Sequence, residues 1–514
     1  MDPGVIYRQA GSSGITSFLS TPAARDRTSP GRRSDDARLL KFLHNCPIRQ
    51  DDIFVKFWAG WIEEAMMGGV HRVTRDWRSV DVLRRGCAET YWEKPITILV
   101  QLREGAEVSD WEGLRIWRTL RDVCWGACQS DVHVEIEVVR RDLGPLCGAD
   151  QENGYNDSLA VGSSIGVEGS SSTGTLGGFL KLQAPDGIVH TLGVTCHHVM
   201  FNRTSHQELL LKGLLPGQWP AIPPLVSPSD IDHGATLQSW STACFAFQKV
   251  ACVVQQRISA GPRSAKSKEG WQQVEDRLQG LRGESERRQY YNREVGKPYC
   301  SSGFQVAPTG SALDWALVQI DDTIKCDNKL AKRPRLLNFL NEIEEGEACE
   351  FDVEEVTTAE GASEASNELE GAEDNEVEEG QRSDSDAAGV TTAEGASKAS
   401  KEIKGAEDDE LAEYDVQIGA SGGRRWGAFN SILSNVRFDC SGISTREWTF
   451  VDELDQTFAP GDEGSWVVAS SGILRGLVVG GSSAGLSYVT PIKTLVQSIE
   501  ERTKCTVVWS GEEH

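Results

Sequence analysis

The chain has 514 residues, a net charge of −25 and 13 cysteines. The charge is concentrated between residues 341 and 414, which contain 26 acidic and 4 basic residues. The remainder of the chain therefore has 51 acidic and 48 basic residues. A nearly neutral remainder gives no electrostatic reason to expect a nucleic-acid or membrane partner. The odd, scattered set of cysteines does not predict a disulfide framework.

Residues 1–36 are rich in Ser, Arg, Pro and Gly and lack the apolar core of a secretory signal. They are therefore predicted to be disordered. The longest apolar runs of the chain are well below the about 18–20 residues of a membrane span. Together with the cysteine pattern, these features predict an intracellular, cytoplasmic protein.

Residues 37–147 carry the pattern of a small α/β domain. The stretch "DDIFVKFWAGWIEEAMM" has helical spacing, with Phe54, Trp58, Trp61 and Ile62 on one side. Further along, "PITILVQLR" predicts a buried strand and "DWEGLRIWRTLRDVCWGA" predicts a helix. The stretch "DVHVEIEVV" alternates apolar and polar residues, which predicts a second strand with one polar face.

Two cysteines of this domain, Cys124 and Cys128, are four residues apart, which on a helix places both sulfurs on one face. They are either half of a metal site or small buried thiols. Because no His or Cys pair nearby completes a ligand set, we prefer the second reading and expect no metal and no cofactor.

A Gly-, Ser- and Asn-rich stretch predicts a linker over residues 148–164, and short strands with turns predict a β domain over residues 165–510. The stretch "GFLKLQAPDGIVHTLGVTCHHV" has two apolar segments around a Pro-Asp-Gly turn, which is typical of a β-hairpin.

Two inserts interrupt the β domain. Residues 253–295 form a predicted helical insert, which packs either on its own domain or on a partner. Its apolar residues follow the spacing of an amphipathic or coiled-coil helix: Trp271, Val274, Leu278 and Leu281. Residues 341–414 form a predicted disordered acidic insert, in which a segment beginning at Val356 is repeated from Val390.

Two histidine- and aspartate-containing stretches follow the order that acyl-transfer proteases use. In "GVTCHHVMF", His198 follows an apolar strand, and in "SALDWALVQI", Asp314 opens one. Taken alone, each has an ordinary structural explanation, as a packed histidine and as a turn residue. In an acyl-transfer site the histidine would be the base and the buried carboxylate would orient it.

A third stretch, "FAPGDEGSWVVASSGILRG", contains a Gly-Asp-x-Gly frame with Glu463 at its variable position. In such a frame the N–H groups of Gly461 and Glu463 would form an oxyanion hole, and the glycines permit the backbone angles of the loop. The strands of "GLVVGGSSAGLSYVTPI" and a terminal helix follow it.

Together these motifs resemble the trypsin-like serine proteases, and in particular an intracellular, fungal-type group of that family. The resemblance implies a mainly β fold of two six-stranded antiparallel β-barrels, preceded by the small α/β domain and carrying the two inserts. It places His198 as base, Asp314 as orienting carboxylate and Glu463 at the position of the nucleophilic serine. The implied oxyanion hole is formed by Gly461 and Glu463.

Glu463 is expected to remove the activity of such a site. A carboxylate is a poor nucleophile toward an amide, and we expect it to form an ion pair with a protonated His198. Ser465 is the fallback nucleophile, but along a strand it would be displaced by about 6–7 Å.

Three functions remain open at this point. The preferred one is an inactive, trypsin-like pseudoprotease that binds peptide or protein segments in its former cleft. The second is an active serine endopeptidase that uses Ser465, and the third is a non-catalytic interaction scaffold. The expected partner is a peptide or protein, with no nucleic acid and no membrane, and nothing in the sequence indicates the oligomeric state.

Overall fold

The computed structural model describes residues 4–10, 15–17, 44–88, 90–103, 108–128, 134–140, 155, 158–201, 207–218, 223–260, 265–330, 415–420, 423–438, 442–452, 458–459, 461–469, 472–482 and 484–508. All of them belong to one structural unit, formed by Met1–Arg335 and Glu413–His514. The second unit, Leu336–Ala412, contains most of the predicted acidic insert and lies outside the described residues.

The strands are β1 (Gly4–Ala10), β2 (Ile15–Ser17), β3 (His44–Cys46), β4 (Trp77–Gly86), β5 (Ile96–Leu102), β6 (Val134–Arg140), β7 (Ser158–Val161), β8 (Ser163–Val167), β9 (Gly174–Leu176), β10 (Gly178–Gln183), β11 (Val189–Cys196), β12 (Leu225–Val226), β13 (Glu294–Ser301), β14 (Gln305–Val306), β15 (Ala312–Leu313), β16 (Trp315–Ile320), β17 (Lys325–Leu330), β18 (Asp415–Gly419), β19 (Gly423–Phe429), β20 (Ser434–Arg437), β21 (Ser444–Asp452), β22 (Trp466–Ala469), β23 (Leu474–Ser482), β24 (Leu486–Pro491) and β25 (Thr506–Val508). The α-helices are α1 (Ile53–Phe57), α2 (Glu63–Val73), α3 (Asp110–Cys128), α4 (His197–Met200), α5 (Gln207–Lys212), α6 (Asp230–Ala260), α7 (Ala265–Gln289) and α8 (Ile492–Thr503), and a π-helical turn (Trp58–Ile62) joins α1 to α2.

Six antiparallel strands near the C-terminus close into a β-barrel. Their order is β19-β18-β22-β23-β24-β21, and β21 pairs back with β19 through the register Phe429↔Phe450. The inward side chains form an apolar centre that includes Phe450, Val467 and Val489. Closure leaves the six strands without a free edge. A closed six-stranded antiparallel barrel with additional strands is compatible with a chymotrypsin-like fold.

A second sheet, of eight strands, forms a half-barrel. Its order is β25-β10-β11-β16-β13-β12-β8-β9. The predicted hairpin is confirmed: β10 pairs with β11, and the turn uses Gly187 at a φ of 85°, where glycine is favoured. The protein is thus mainly β, with one closed barrel and one half-barrel.

The predicted strand–helix–strand unit is also present. The strands β5 and β6 are parallel, and the crossover helix α3 buries Trp117 and Leu120 against them. Cys124 is buried in the same core, as expected for a small packed thiol. The helical face predicted near residue 60 is only partly right: Trp58 and Ile62 are buried, but the π-helical turn carries Trp61 outward, where it is 55% exposed.

The sheet of the α/β domain is continuous with the barrel. Strand β20 pairs on one side with β21 and on the other with β4, through Asn435↔Val80 and Val436↔Ser79. At the other end of this sheet β1 pairs with β6. Strand β1 falls within the N-terminal segment that the sequence predicts to be disordered. The joined sheet brings β4 close to the barrel strands that line the cleft.

Two long helices lie between the histidine- and aspartate-bearing parts of the half-barrel. Helix α7 lies within the predicted helical insert of residues 253–295 and buries Leu278 and Leu281 within the same chain. The helical region begins earlier than the predicted residue 253, because Ser229 accepts a hydrogen bond from the Asp232 N–H and starts α6. Among the described residues, no helix has the length and apolar character needed to cross a membrane.

Candidate active site

His198 and Asp314 are brought together by two paired strands. Strand β11 ends at Cys196 and β16 begins at Trp315, and these two residues are opposite one another in the sheet. His198 on α4 and Asp314, just before β16, therefore meet at the same end of the ladder. The Asp314 Oδ2 atom is 2.6 Å from His198 Nδ1, and Oδ1 accepts a 3.0 Å hydrogen bond from the His198 backbone N–H. This is the arrangement that orients an imidazole as a general base.

The two adjacent histidines have opposite environments. His197 is fully buried, with Nε2 3.1 Å from the Leu210 carbonyl oxygen and Nδ1 3.0 Å from the Ser301 hydroxyl. Because a carbonyl only accepts, Nε2 carries the proton and Nδ1 is left to accept in the neutral ring. His198 instead borders a cavity beside Asp314 and Glu463. Of the two histidines, His198 thus lines the cavity, and its role as a base stays a prediction.

The loop that carries Glu463 is fixed by hydrogen bonds from Thr175 of the half-barrel. Gly461 and Gly464 have φ values of 99° and 94°, so both positions favour glycine. The Thr175 N–H donates to the Glu463 carbonyl at 2.7 Å, and the Thr175 hydroxyl donates to the Gly461 carbonyl at 2.7 Å. No sequence signal marked Thr175 for this role.

The carboxylate of Glu463 occupies the predicted oxyanion hole. Its Oε2 atom accepts a 2.8 Å hydrogen bond from the Gly461 N–H, and the Glu463 N–H also contacts the carboxylate. In the part of the chain that the structure describes, no nitrogen–oxygen contact of 4.0 Å or less joins the His198 ring to this carboxylate. The expected direct ion pair is therefore wrong, because the loop amides, which are part of the same turn, hold the side chain instead.

Charges nevertheless couple the three groups. Burial lowers the pKa of His198, but the charge of Asp314, its hydrogen bond and the charge of Glu463 raise that pKa to about 9. Burial raises the pKa of Glu463, against the opposing effects of the His198 charge and the two loop N–H groups. The imidazole is thus held in its protonated form at neutral pH, where it cannot act as a base.

Ser465 is not brought to the cavity. It is fully buried, and its hydroxyl donates to the Asp462 carbonyl oxygen within the same turn. The Val478 N–H donates to the Ser465 carbonyl at 2.8 Å, which fixes this residue in the barrel. The side chain therefore acts in the packing of the loop and does not line the cavity that His198 borders.

Asp462 pairs with Arg425, a residue that the sequence analysis did not single out. The Arg425 guanidinium on β19 lies 3.1 Å from Asp462 Oδ2, and both side chains are almost fully buried. A side chain of the barrel therefore supplies the positive charge beside Asp462.

Three potential metal-ligand atoms lie near the base, on Cys196, His198 and Asp314, all within 4.8 Å of one another. The Cys196 thiol donates to the Val478 carbonyl oxygen at 3.2 Å, and burial raises its pKa well above the ordinary range. His198 and Asp314 are hydrogen-bonded directly to each other, so each of the three groups already has a hydrogen-bond partner within the protein. The second cysteine of the predicted half-site, Cys128, has a side chain outside the described residues.

A cavity of about 450 Å³ lies in front of these residues, and His198, Asp314 and Glu463 all line it. A larger cavity, of about 850 Å³, is mostly apolar and includes none of the three.

No protein-family model and no curated protein matches the chain. The residues that line the cavity are therefore the basis for inferring its function.

The pKa values of the two histidines are expected to be shifted in opposite directions. The pKa of His198 is raised to about 9, so its stabilising effect is complete below pH 6.5 and is lost as the pH rises through 9. Burial lowers the pKa of His197 to about 4. The stability that the neutral His197 ring contributes is therefore complete above pH 6.5 and is lost as the pH falls toward 4.

Histidine NMR titration measures both values, and the Asp314→Asn variant is the control. Without the Asp314 charge, the pKa of His198 is expected to fall toward or below 6.5, because burial then remains as the leading effect. Equal pKa values for the two rings would contradict the environments described above.

Proposed function

We propose that the protein is a trypsin-like pseudoprotease that binds peptide or protein segments in its former active-site cleft without cutting them. The half-barrel corresponds, in this proposal, to the first of two barrels, and Glu463 replaces the nucleophilic serine. The observation that carries the proposal is the hydrogen bond from the Gly461 N–H to the Glu463 carboxylate. In this proposal the Glu463 carboxylate lies where the oxyanion of a substrate would bind, and the cavity beside it remains open.

Three consequences of this geometry oppose hydrolysis. The residue beside His198 has no hydroxyl, the base is held protonated, and one oxyanion donor is already bonded to a side chain. Each is enough to slow acyl transfer by orders of magnitude. The alternative of an active hydrolase that uses Ser465 is disfavoured by the hydrogen bond of its hydroxyl to the Asp462 carbonyl.

The cleft has features suited to an extended peptide. Gly480 lines the cavity, and a Cβ added there would lie 3.2 Å from the Phe438 ring, so the absence of a side chain keeps this part open. Its strand, β23, forms one wall of the cleft. A peptide backbone running along such a wall can exchange main-chain hydrogen bonds while its side chains enter the cavity.

Two measurements test the proposal. A fluorophosphonate probe is expected to leave the wild-type chain unlabelled, whereas an active serine would react. A peptide-library binding screen is expected to give ligands whose affinity falls at least about tenfold in Gly480→Val, because the new side chain narrows the cavity.

The matched control is Gly283→Val, since Gly283 on α7 has open space around its Cβ position. Equal loss in both variants, or no loss in Gly480→Val, would place the binding elsewhere. Labelling of the wild-type chain by the probe would favour the hydrolase instead.

A further inference from the structure

A lysine and a cysteine of the α/β domain are in direct contact. The Lys94 Nζ atom lies 3.1 Å from Cys46 Sγ, and neither residue lines the cavity of His198. Cys46 ends β3, and Lys94 lies in the turn before β5. Neither position belongs to the histidine, aspartate or Gly-Asp-Glu-Gly motifs. The pair is therefore separate from the candidate active site.

The position of Lys94 is set by strand β4. The Arg85 N–H donates to the Pro95 carbonyl at 3.0 Å, and Arg84 NH1 donates to the Lys94 carbonyl at 2.6 Å. Gly86 lies against the lysine, because a Cβ added there would be 3.8 Å from Lys94 Cα and Cγ. The lysine stem thus passes the end of β4 and reaches β3.

Cys46 is held on the neighbouring strand. Strand β3 pairs with β4 through Asn45↔Arg85 and Cys46↔Arg84. On its other side, the Asn45 side chain donates to the Ala484 carbonyl at 2.6 Å, in the turn between β23 and β24. Because β3 is fixed by β4 and by this turn, the sulfur is held beside the lysine nitrogen.

The ammonium of Lys94 uses the sulfur as its acceptor. Lys94 is 7% exposed, and the Cys46 sulfur is the one hydrogen-bond acceptor of Nζ within the part of the chain that the structure describes. Asp52, on the nearby helix start, pairs instead with Arg84 at 2.8 Å. A buried ammonium is unfavourable without an acceptor, so the contact with Cys46 keeps the two groups together.

The pair has the chemistry of a redox-sensitive site. A cysteine beside a lysine is among the more reactive ones in proteins, because the positive charge stabilises the attacking sulfur. Cys46 is half-buried rather than enclosed, so a small oxidant can reach it. Oxidation of such a cysteine gives a sulfenic acid, which condenses with a nearby thiol or nitrogen. Here the nitrogen in contact is that of Lys94.

We propose that Cys46 and Lys94 are a peroxide-sensitive pair, in which oxidation joins the cysteine sulfur to the lysine nitrogen by a reversible covalent bond. The bond ties β3 to the turn before β5. It forms whether or not the cleft binds peptides, because neither residue lines the cavity.

Hydrogen peroxide is the oxidant in this reaction. The thiolate sulfur attacks one peroxide oxygen, the O–O bond breaks, and the leaving hydroxide takes a proton from the Lys94 ammonium. This step produces a sulfenic acid, one water and a neutral amine. The amine nitrogen then attacks the sulfur, the S–O bond breaks, and the hydroxyl leaves as a second water with a proton from the nitrogen. The sulfur is oxidised by two electrons, and the peroxide is reduced to water.

The test treats the full wild-type chain with hydrogen peroxide, blocks the remaining thiols with N-ethylmaleimide and maps the peptic peptides by mass spectrometry. The peptide with Cys46 is expected to be joined to the peptide with Lys94, and the product should be lighter by two hydrogen atoms than both reduced peptides together. Dithiothreitol should release both. Cys46 is expected to react at least about 10-fold faster than the exposed Cys87 of the same domain, because Lys94 supplies a positioned proton donor.

Three variants assign the bond to this pair. Lys94→Arg keeps the positive charge but has no nucleophilic amine, so Cys46 should stop at the sulfenic acid, which dimedone labels. Cys46→Ser should remove both the bond and the label. Lys56→Met is the matched control, since Lys56 is an exposed lysine of the same domain, and it should retain the bond. Thermal unfolding checks that each variant is folded, and the peptide map of the wild-type chain carries the test if one is not.

Three outcomes would overturn the proposal. The first is the absence of the joined Cys46 and Lys94 peptides in wild-type chain whose Cys87 has been oxidised. The second is a disulfide between Cys46 and another cysteine in place of the bond to nitrogen. The third is a bond from Cys46 to a different lysine in Lys94→Arg at the wild-type yield, since the 3.1 Å contact would then not direct the reaction.

Discussion

Replacing Glu463 by serine is expected to produce a working esterase. The His198–Asp314 pair is already formed, the loop glycines have positive φ values of 99° and 94°, and the Gly461 N–H is freed once the carboxylate is gone. Loss of the Glu463 charge also lowers the pKa of His198 and so increases the neutral fraction of the base, although Asp314 continues to raise that pKa. We expect hydrolysis of a nitrophenyl ester at about 10³-fold or more above the wild-type rate.

The controls for this variant are Glu463→Ala and the double variant Glu463→Ser with His198→Ala. The first frees the amides without adding a hydroxyl, and the second adds the hydroxyl without its base. Both should stay near the wild-type rate, and only Glu463→Ser should react with a fluorophosphonate. If Glu463→Ala were as active as Glu463→Ser, the serine would not be the nucleophile.

Removing the Arg425 side chain is expected to destabilise the barrel strongly. In Arg425→Met the buried Asp462 carboxylate loses its guanidinium partner at 3.1 Å. Leaving one member of a buried ion pair unpaired costs about 3–5 kcal/mol. The midpoint of guanidinium unfolding should fall accordingly, and in the Glu463→Ser background the esterase activity should fall as well, because Asp462 helps to set the loop.

Two comparisons separate the loss of the Arg425–Asp462 ion pair from the loss of packing by the Arg425 side chain. The double variant Arg425→Met with Asp462→Asn removes the nearer of the two buried carboxylates that Arg425 faces, Asp462 at 3.1 Å rather than Asp452 at 4.0 Å, so part of the stability should return. Arg121→Met removes an exposed arginine paired with Asp122 and should change the stability by less than about 1 kcal/mol. A double variant that is less stable than Arg425→Met would argue against the ion pair.

Local patterns predicted the local structure well. The hairpin around Gly187 and the helix that buries Trp117 and Leu120 follow from turn residues and from apolar periodicity, which the sequence shows directly. The same holds for the proximity of His198 and Asp314, because each borders a recognisable strand. Polarity was a poorer guide: Glu137 lies on the polar face of its strand, yet it is fully buried and pairs with Arg85.

Contacts between distant segments could not be predicted in this way. The pairing of β20 with β4 joins residues more than 350 positions apart, and nothing in either strand identifies the other. Arg425 likewise stands among ordinary strand residues, so its pairing with Asp462 is visible only in three dimensions. The orientation of Glu463 was missed although its two donors, the N–H groups of Gly461 and Glu463, were predicted, because we expected the carboxylate to pair with the charge of His198 instead.

The pairing of β20 with β4 also bears on how the chain responds to a protease. A propeptide that packs on a surface dissociates once its connecting peptide is cut, whereas main-chain bonds here tie β4 into the sheet that contains the barrel. A single cut between residues 141 and 157 should therefore give two fragments that elute together and separate only in denaturant. A truncated chain beginning after such a cut would present β20 as an uncovered strand edge, and we expect it to aggregate.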